Sequence, residues 1–113
     1  MHELGIVFHI IRGLKEVAQE NNVKHIKKVT LEIGEVSSIV PDLLMDCYKW
    51  AIKKEELLKD SDLCVMVIEA LNHCNDCGMD YKATAYGRTC PNCKSKNTYL
   101  IQGDEANIKS LEY

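Results

Sequence analysis

The chain has 113 residues, 46% of them hydrophobic and 27% charged, with a formal net charge of -3. That composition fits one ordinary globular domain, or a small domain carrying a smaller metal-stapled one. It excludes a general electrostatic pull on nucleic acid or anionic lipid, and no apolar run approaches the roughly 20 residues of a membrane span.

The chain opens Met1-His2-Glu3. It has no basic n-region and no long apolar h-region there, so no secretory signal is read and a cytoplasmic location is expected. Thiols stay reduced in that compartment, and paired cysteines then mean metal more often than disulfide. Residues 4–19 predict an amphipathic helix, with Leu4, Val7, Ile11, Leu14 and Ala18 at three- and four-residue steps and Arg12, Glu16 and Glu20 opposite. Asn21-Asn22 is its stop, because asparagine tolerates the left-handed conformation at helix ends. Residues 27–36 alternate, Val29, Leu31 and Ile33 against Thr30 and Glu32, which is a half-buried strand closed by Gly34.

Residues 40–59 predict a second helix. Pro41 suits its first turn, Asp42 its positive end, and Leu43, Leu44, Cys47, Tyr48 and Ala51 its apolar face. Residues 63–71 are almost continuously apolar and predict a well-buried strand. Residues 72–99 break the pattern, and 104–112 predict a closing strand around Ile108 and Leu111. The expected fold is α+β. Two helices pack on a three-stranded mixed sheet, with an inserted zinc-ribbon-like, two-knuckle subdomain. The domains are then 1–71 plus 100–113, and 72–99.

The strongest chemical signal is Cys74-Asn-Asp-Cys77, twelve intervening residues, then Cys90-Pro-Asn-Cys93. Each CxxC turn aims two sulfurs at one point, and two such turns complete a tetrahedron that suits zinc. A closed four-sulfur site has no open position, so it is structural and not hydrolytic. Iron in a rubredoxin-like arrangement fits the same ligands. Lys82, Arg88, Lys94 and Lys96 balance Asp76, Asp80 and a doubly negative tetrathiolate, which leaves a neutral segment poorly suited to phosphates.

His73 adjoins Cys74 and reads as a partly exposed residue ahead of the knuckle. His9 reads as solvated or partner-facing, His25 as a connector residue, and Cys47 and Cys64 as core thiols. The terminal amine, the His2 amide and the His2 imidazole form fused chelate rings around one cation, and the Glu3 amide adds a fourth nitrogen. Square-planar nitrogen sites of this kind favour Ni(II) or Cu(II) over zinc. Nothing pairs a nucleophile with a base, so no enzyme is expected.

These features together resemble the HypA/HybF nickel metallochaperones of NiFe-hydrogenase maturation. The matching residues are Met1-His2-Glu3 and its helix, the strand Leu31-Glu32-Ile33-Gly34-Glu35, Val40-Pro41-Asp42-Leu43, both CxxC pairs, Gly103-Asp104-Glu105 and Leu111-Glu112. The resemblance covers essentially the whole chain. It implies structural zinc on Cys74, Cys77, Cys90 and Cys93, and transported nickel centred on His2, with Met1 and Glu3 supplying backbone nitrogens. It implies the HypB GTPase and the hydrogenase large-subunit precursor as partners, with urease served by some relatives. A homodimer is compatible with it. The competing reading is a zinc-ribbon interaction or nucleic-acid-binding module without a nickel role.

Overall fold

A computed structural model describes residues 2–113; Met1 and the side chain of His2 lie outside the described part. Helix α1 spans His2–Glu20. Its three- and four-residue rhythm buries Val7, Ile10, Ile11, Leu14 and Ala18. Asn22 ends it in the left-handed region at φ 56, and the Val23 amide closes back on the Ala18 carbonyl at 2.9 Å. Strand β1, Lys28–Gly34, alternates as its sequence does, with Val29, Leu31 and Ile33 fully buried and the opposite face half-open.

Helix α2 spans Pro41–Ala51, with Val40 extended at its N-cap, Pro41 in its first turn and Leu44, Cys47 and Tyr48 buried. The Tyr48 hydroxyl bonds Ser61 Oγ at 2.6 Å, which satisfies a phenol whose burial pushes its pKa up. The helix expected over 40–59 stops at Ala51. Two 3-10 turns, Ile52–Lys54 and Glu56–Leu58, follow, separated by the extended Glu55. Ile52 and Leu58 are both buried, so the apolar rhythm continues while the helix does not.

Strands β2, Asp62–Ile68, and β6, Ala106–Glu112, flank β1 in the order β2-β1-β6. Hydrogen bonds Asp62–Lys27 and Glu35–Ile68 make β2 parallel to β1, and Lys27–Glu112 and Gly34–Glu105 make β6 antiparallel to it. The sheet is therefore mixed. The well-buried strand expected over 63–71 is corrected on two counts. It ends at Ile68, and as an edge strand it is half-open, with Val67 59% exposed. Cys64 is likewise exposed and is no core thiol.

The chain divides into two compact units. The first comprises Met1–Glu32, Ile39–Met66 and Asn107–Tyr113; the second comprises Ile33–Ser38 and Val67–Ala106. The second unit contains all of 72–99. It also contains regular structure that the sequence pattern did not announce. Strands β3 (Leu71–Cys74), β4 (Asp80–Lys82) and β5 (Thr98–Gln102) form an antiparallel sheet in the order β4-β3-β5, with the one-turn helix α3 at Ala83–Tyr86. The pairing shifts after Leu71, which partners Gln102 while Asn72 partners Leu100, so Ile101 is a bulge.

Two backbone approaches hold this unit's base. A Cβ on Gly34 would sit 2.0 Å from the Gly103 carbonyl oxygen, and one on Gly103, at φ 119, would sit 2.4 Å from the Ala70 Cα. Only glycine fits either place. Gly34→Ala is expected to cost about 1–3 kcal/mol or more through overpacking against backbone, read as a lower urea midpoint at unchanged slope. Among the described residues no helix is long and apolar enough to cross a membrane.

Candidate metal centre

The two CxxC turns are built alike. In the first, the Cys74 amide bonds the Met79 carbonyl and the Gly78 amide bonds the Cys74 carbonyl, both at 2.9 Å. In the second, Cys90 to Ser95 and Lys94 to Cys90 repeat both distances. Each turn ends on a left-handed residue, Gly78 at φ 77 and Lys94 at φ 65. Lysine is strained where glycine is not, so the second turn is held by its surroundings.

Those surroundings are polar. Asp76 of the first turn accepts from Ser95 Oγ and from Asn97 Nδ2, and Asn75 donates to the Asn97 side chain at 3.1 Å. Asparagine, aspartate and serine thus lace one turn to the other where apolar side chains are scarce. Beneath them Cys74, Tyr81 and Cys90 form a small buried cluster. Asn72 Nδ2 and the Tyr81 hydroxyl both donate to the Gly87 carbonyl at 2.8 Å, so its buried polar groups are paired.

The four sulfurs lie within 4.8 Å of one another, with Cys74 to Cys93 at 3.5 Å and Cys77 to Cys90 at 3.6 Å. A disulfide needs about 2.05 Å, and all four cysteines are free thiols. A tetrahedral ion with metal–sulfur bonds of about 2.3 Å needs sulfur–sulfur edges of about 3.8 Å, so the arrangement fits one such ion. Cys74 and Cys90 are buried, while Cys77 and Cys93 face outward.

The thiol electrostatics make the same demand. The Asn92 side chain and then the Met79 backbone hydrogen-bond to Cys77 and bring its pKa down to about 6. The Ser95 backbone pulls Cys93 down, but Cys74, burial, Cys77 and Cys90 outweigh it and push Cys93 up to about 12. One thiolate forms readily and its neighbour then resists ionisation. A divalent cation removes that conflict. Among the described residues these four cysteines are the one group of three or more metal-ligating side chains brought together.

His73 stays out of the cluster. It stands opposite Asp80 in the β3–β4 register, with Nδ1 2.6 Å from the Asp80 carboxylate and the Tyr99 ring at 5.5 Å. His25 bonds the Lys59 carbonyl at 2.7 Å, a connector role, and His9 is exposed on α1.

At the N-terminus, His2 is the first residue of α1, and Met1 lies outside the described residues. Glu3 has a feature the sequence did not signal. Its side chain is buried, 4% exposed, and Oε2 accepts the Val40 amide at 3.1 Å. Val40 caps α2, so the carboxylate sits at that helix's positive end. The two residues are 37 positions apart, too far for any local pattern to reveal the bond.

A family model for hydrogenase/urease nickel incorporation, metallochaperone, hypA matches residues 1–113. The hydrogenase maturation factor HypA of Aquifex aeolicus is 35% identical over 113 residues, covering 99% of this chain and 96% of that one. The factor of the same name from Methanocella arvoryzae is 34% identical over 115 residues, covering 99% and 97%. The solution structure of the Ni metallochaperone HypA from Helicobacter pylori superposes with a TM-score of 0.75 at 30% identity, covering 99% of this chain and 97% of that one.

Proposed function

The chain belongs to the HypA family of hydrogenase/urease nickel-incorporation metallochaperones, and from that premise we propose that it binds Ni(II) at its N-terminus and hands it on during NiFe-hydrogenase maturation. The observation that carries the reading is the family match over all 113 residues, with Met1-His2-Glu3 at the start and both CxxC pairs in place. In this reading the Met1 amine, the His2 amide and imidazole and the Glu3 amide hold nickel. The buried Glu3 carboxylate, bonded to Val40, fixes the backbone on which those nitrogens sit. Cys74, Cys77, Cys90 and Cys93 hold one structural zinc. The protein acts in the cytoplasm without catalysing a reaction. It passes nickel to the HypB GTPase and the hydrogenase large-subunit precursor, with urease as a second acceptor.

A set of mostly backbone nitrogens at the N-terminus suits a carrier. Each ligand can be exchanged in turn for a ligand of the acceptor, so affinity need not prevent release. An N-terminal tag fused directly before Met1 tests the amine. The fusion turns the amine into an amide and is expected to weaken nickel binding about tenfold or more, as loss of a ligand or its support does elsewhere. Calorimetric titration of the tagged and cleaved proteins reads this directly, and equal affinities would remove the amine from the ligand set.

A further inference from the structure

We propose that the cleft between α1 and α2 in the first unit docks an amphipathic helix of the nickel-exchanging partner, which seats an aliphatic side chain beside Trp50 and a lysine or arginine over Asp42 and Asp46. The proposal rests on the nickel-carrier reading above. The cleft measures about 270 Å³ and is lined by Leu4, Asp46, Cys47 and Trp50. Phe8 borders it and meets Trp50 edge to face, with ring centroids at 6.4 Å and an interplanar angle of 72°. Trp50 is 60% exposed and Phe8 46% exposed, so the chain's single tryptophan and single phenylalanine both face out and contribute little to the core. An aromatic pair presented to solvent beside an apolar cleft has the composition of an interface anchor.

Charge selects the occupant. Asp42, Asp46 and Trp50 follow one another at four-residue steps and so share one row of α2. Lys49 and Lys53 line a different depression, with Ile52 and Lys59. The α2 border of the cleft is therefore acidic. On α1 Arg12 stands one turn past Phe8 and Lys15 is paired with Glu55 at 2.7 Å, so a docked helix places its own cation over the aspartates and away from Arg12. A groove between two packed helices accepts a third helix by ridge and groove, with apolar anchors at three- and four-residue steps. A second copy docked about a two-fold axis running through the cleft would set its acidic border against the same acidic border, which disfavours self-association here. Leu4 stands two residues from His2, so a helix seated on the cleft brings its protein to the nickel-bearing end.

Trp50 supplies the readout, because it is the only tryptophan. The full-length, untagged protein is titrated with purified HypB GTPase while Trp50 emission and acrylamide quenching are followed. A blue shift with protection from quenching is expected. Asp46→Lys and Trp50→Ala are each expected to weaken the complex about tenfold or more, as loss of an anchor does. Both variants should keep wild-type circular dichroism and wild-type nickel affinity, measured without the partner. A complex that leaves Trp50 emission unchanged, or that Asp46→Lys forms as well as wild type, overturns the proposal. So does a concentration-dependent blue shift of the protein alone, which identifies a second copy as the occupant, and so does the lack of any complex with the GTPase. Nickel affinity of the same samples reports on His2 separately, so failure of the docking surface and failure of the nickel site are distinguishable.

Discussion

Cys77→Ser is expected to lose the bound metal and to unfold the second unit. Cys77 faces outward and packs against no core, so serine removes a sulfur ligand and little else. Around the cysteines the unit's apolar centre is a small cluster of Cys74, Tyr81 and Cys90, with little beyond Ile33 and Ala70 buried elsewhere among its described residues. Cores of this size seldom sustain a fold without a staple, and structural zinc contributes on the order of 10–16 kcal/mol to folding in small finger peptides. The far ends of β1 and β2 and the first residue of β6 belong to the second unit, so they fray with it. Helices α1 and α2 and the rest of the β2-β1-β6 sheet keep their own buried core and remain folded. Metal analysis and amide hydrogen exchange read both parts. Cys64→Ser, an exposed cysteine on β2, is the matched control and should change neither. Retained zinc in Cys77→Ser would remove that residue from the ligand set, and loss of protection throughout the chain would show that the two units fold as one.

The second large effect is at His2. His2→Ala is expected to abolish nickel binding while zinc content and melting temperature stay at wild-type values. The imidazole is the one side-chain nitrogen in the proposed set, and without it the ring joining the amide to the side chain is lost and the amide is no longer anchored for deprotonation. Nickel binding also displaces protons from the amine, the amides and the imidazole. Affinity therefore falls as pH is lowered, most steeply below the ordinary imidazole pKa of about 6.5. Glu3 separates the structural contribution from the ligating one. Its carboxylate holds the Val40 amide, so Glu3→Gln keeps an acceptor there while Glu3→Ala does not.

Much of this molecule was legible in its sequence, for identifiable reasons. Helix α1 and strand β1 are legible because each buries one face, and a single buried face leaves a clean period. The start of α2 was announced by Pro41 and Asp42. Its end was not, because Ile52 and Leu58 continue the apolar rhythm through 3-10 turns. The run from Leu63 read as a buried strand because unbroken apolar stretches usually have cover on both faces; β2 has cover on one, at a sheet edge. The strands of the second unit leave no periodic trace, since the two CxxC turns and the Asp76, Ser95 and Asn97 network organise them instead of apolar faces. The four cysteines were legible because knuckle geometry fixes their spacing. The Glu3–Val40 bond was not, since it forms across 37 residues with no local signature. The solvent-facing placement of Phe8 and Trp50 was equally silent, as nothing in a lone aromatic says which side of a helix it will leave uncovered.

The most direct test is a calorimetric nickel titration of the zinc-loaded protein with its native N-terminus, wild type against His2→Ala, with zinc measured before and after. Wild type is expected to take up one nickel per chain at about micromolar affinity or tighter, and the variant none, with zinc unchanged in both. Equal nickel uptake by the two proteins, or uptake only as zinc is displaced from Cys74, Cys77, Cys90 and Cys93, would contradict the account.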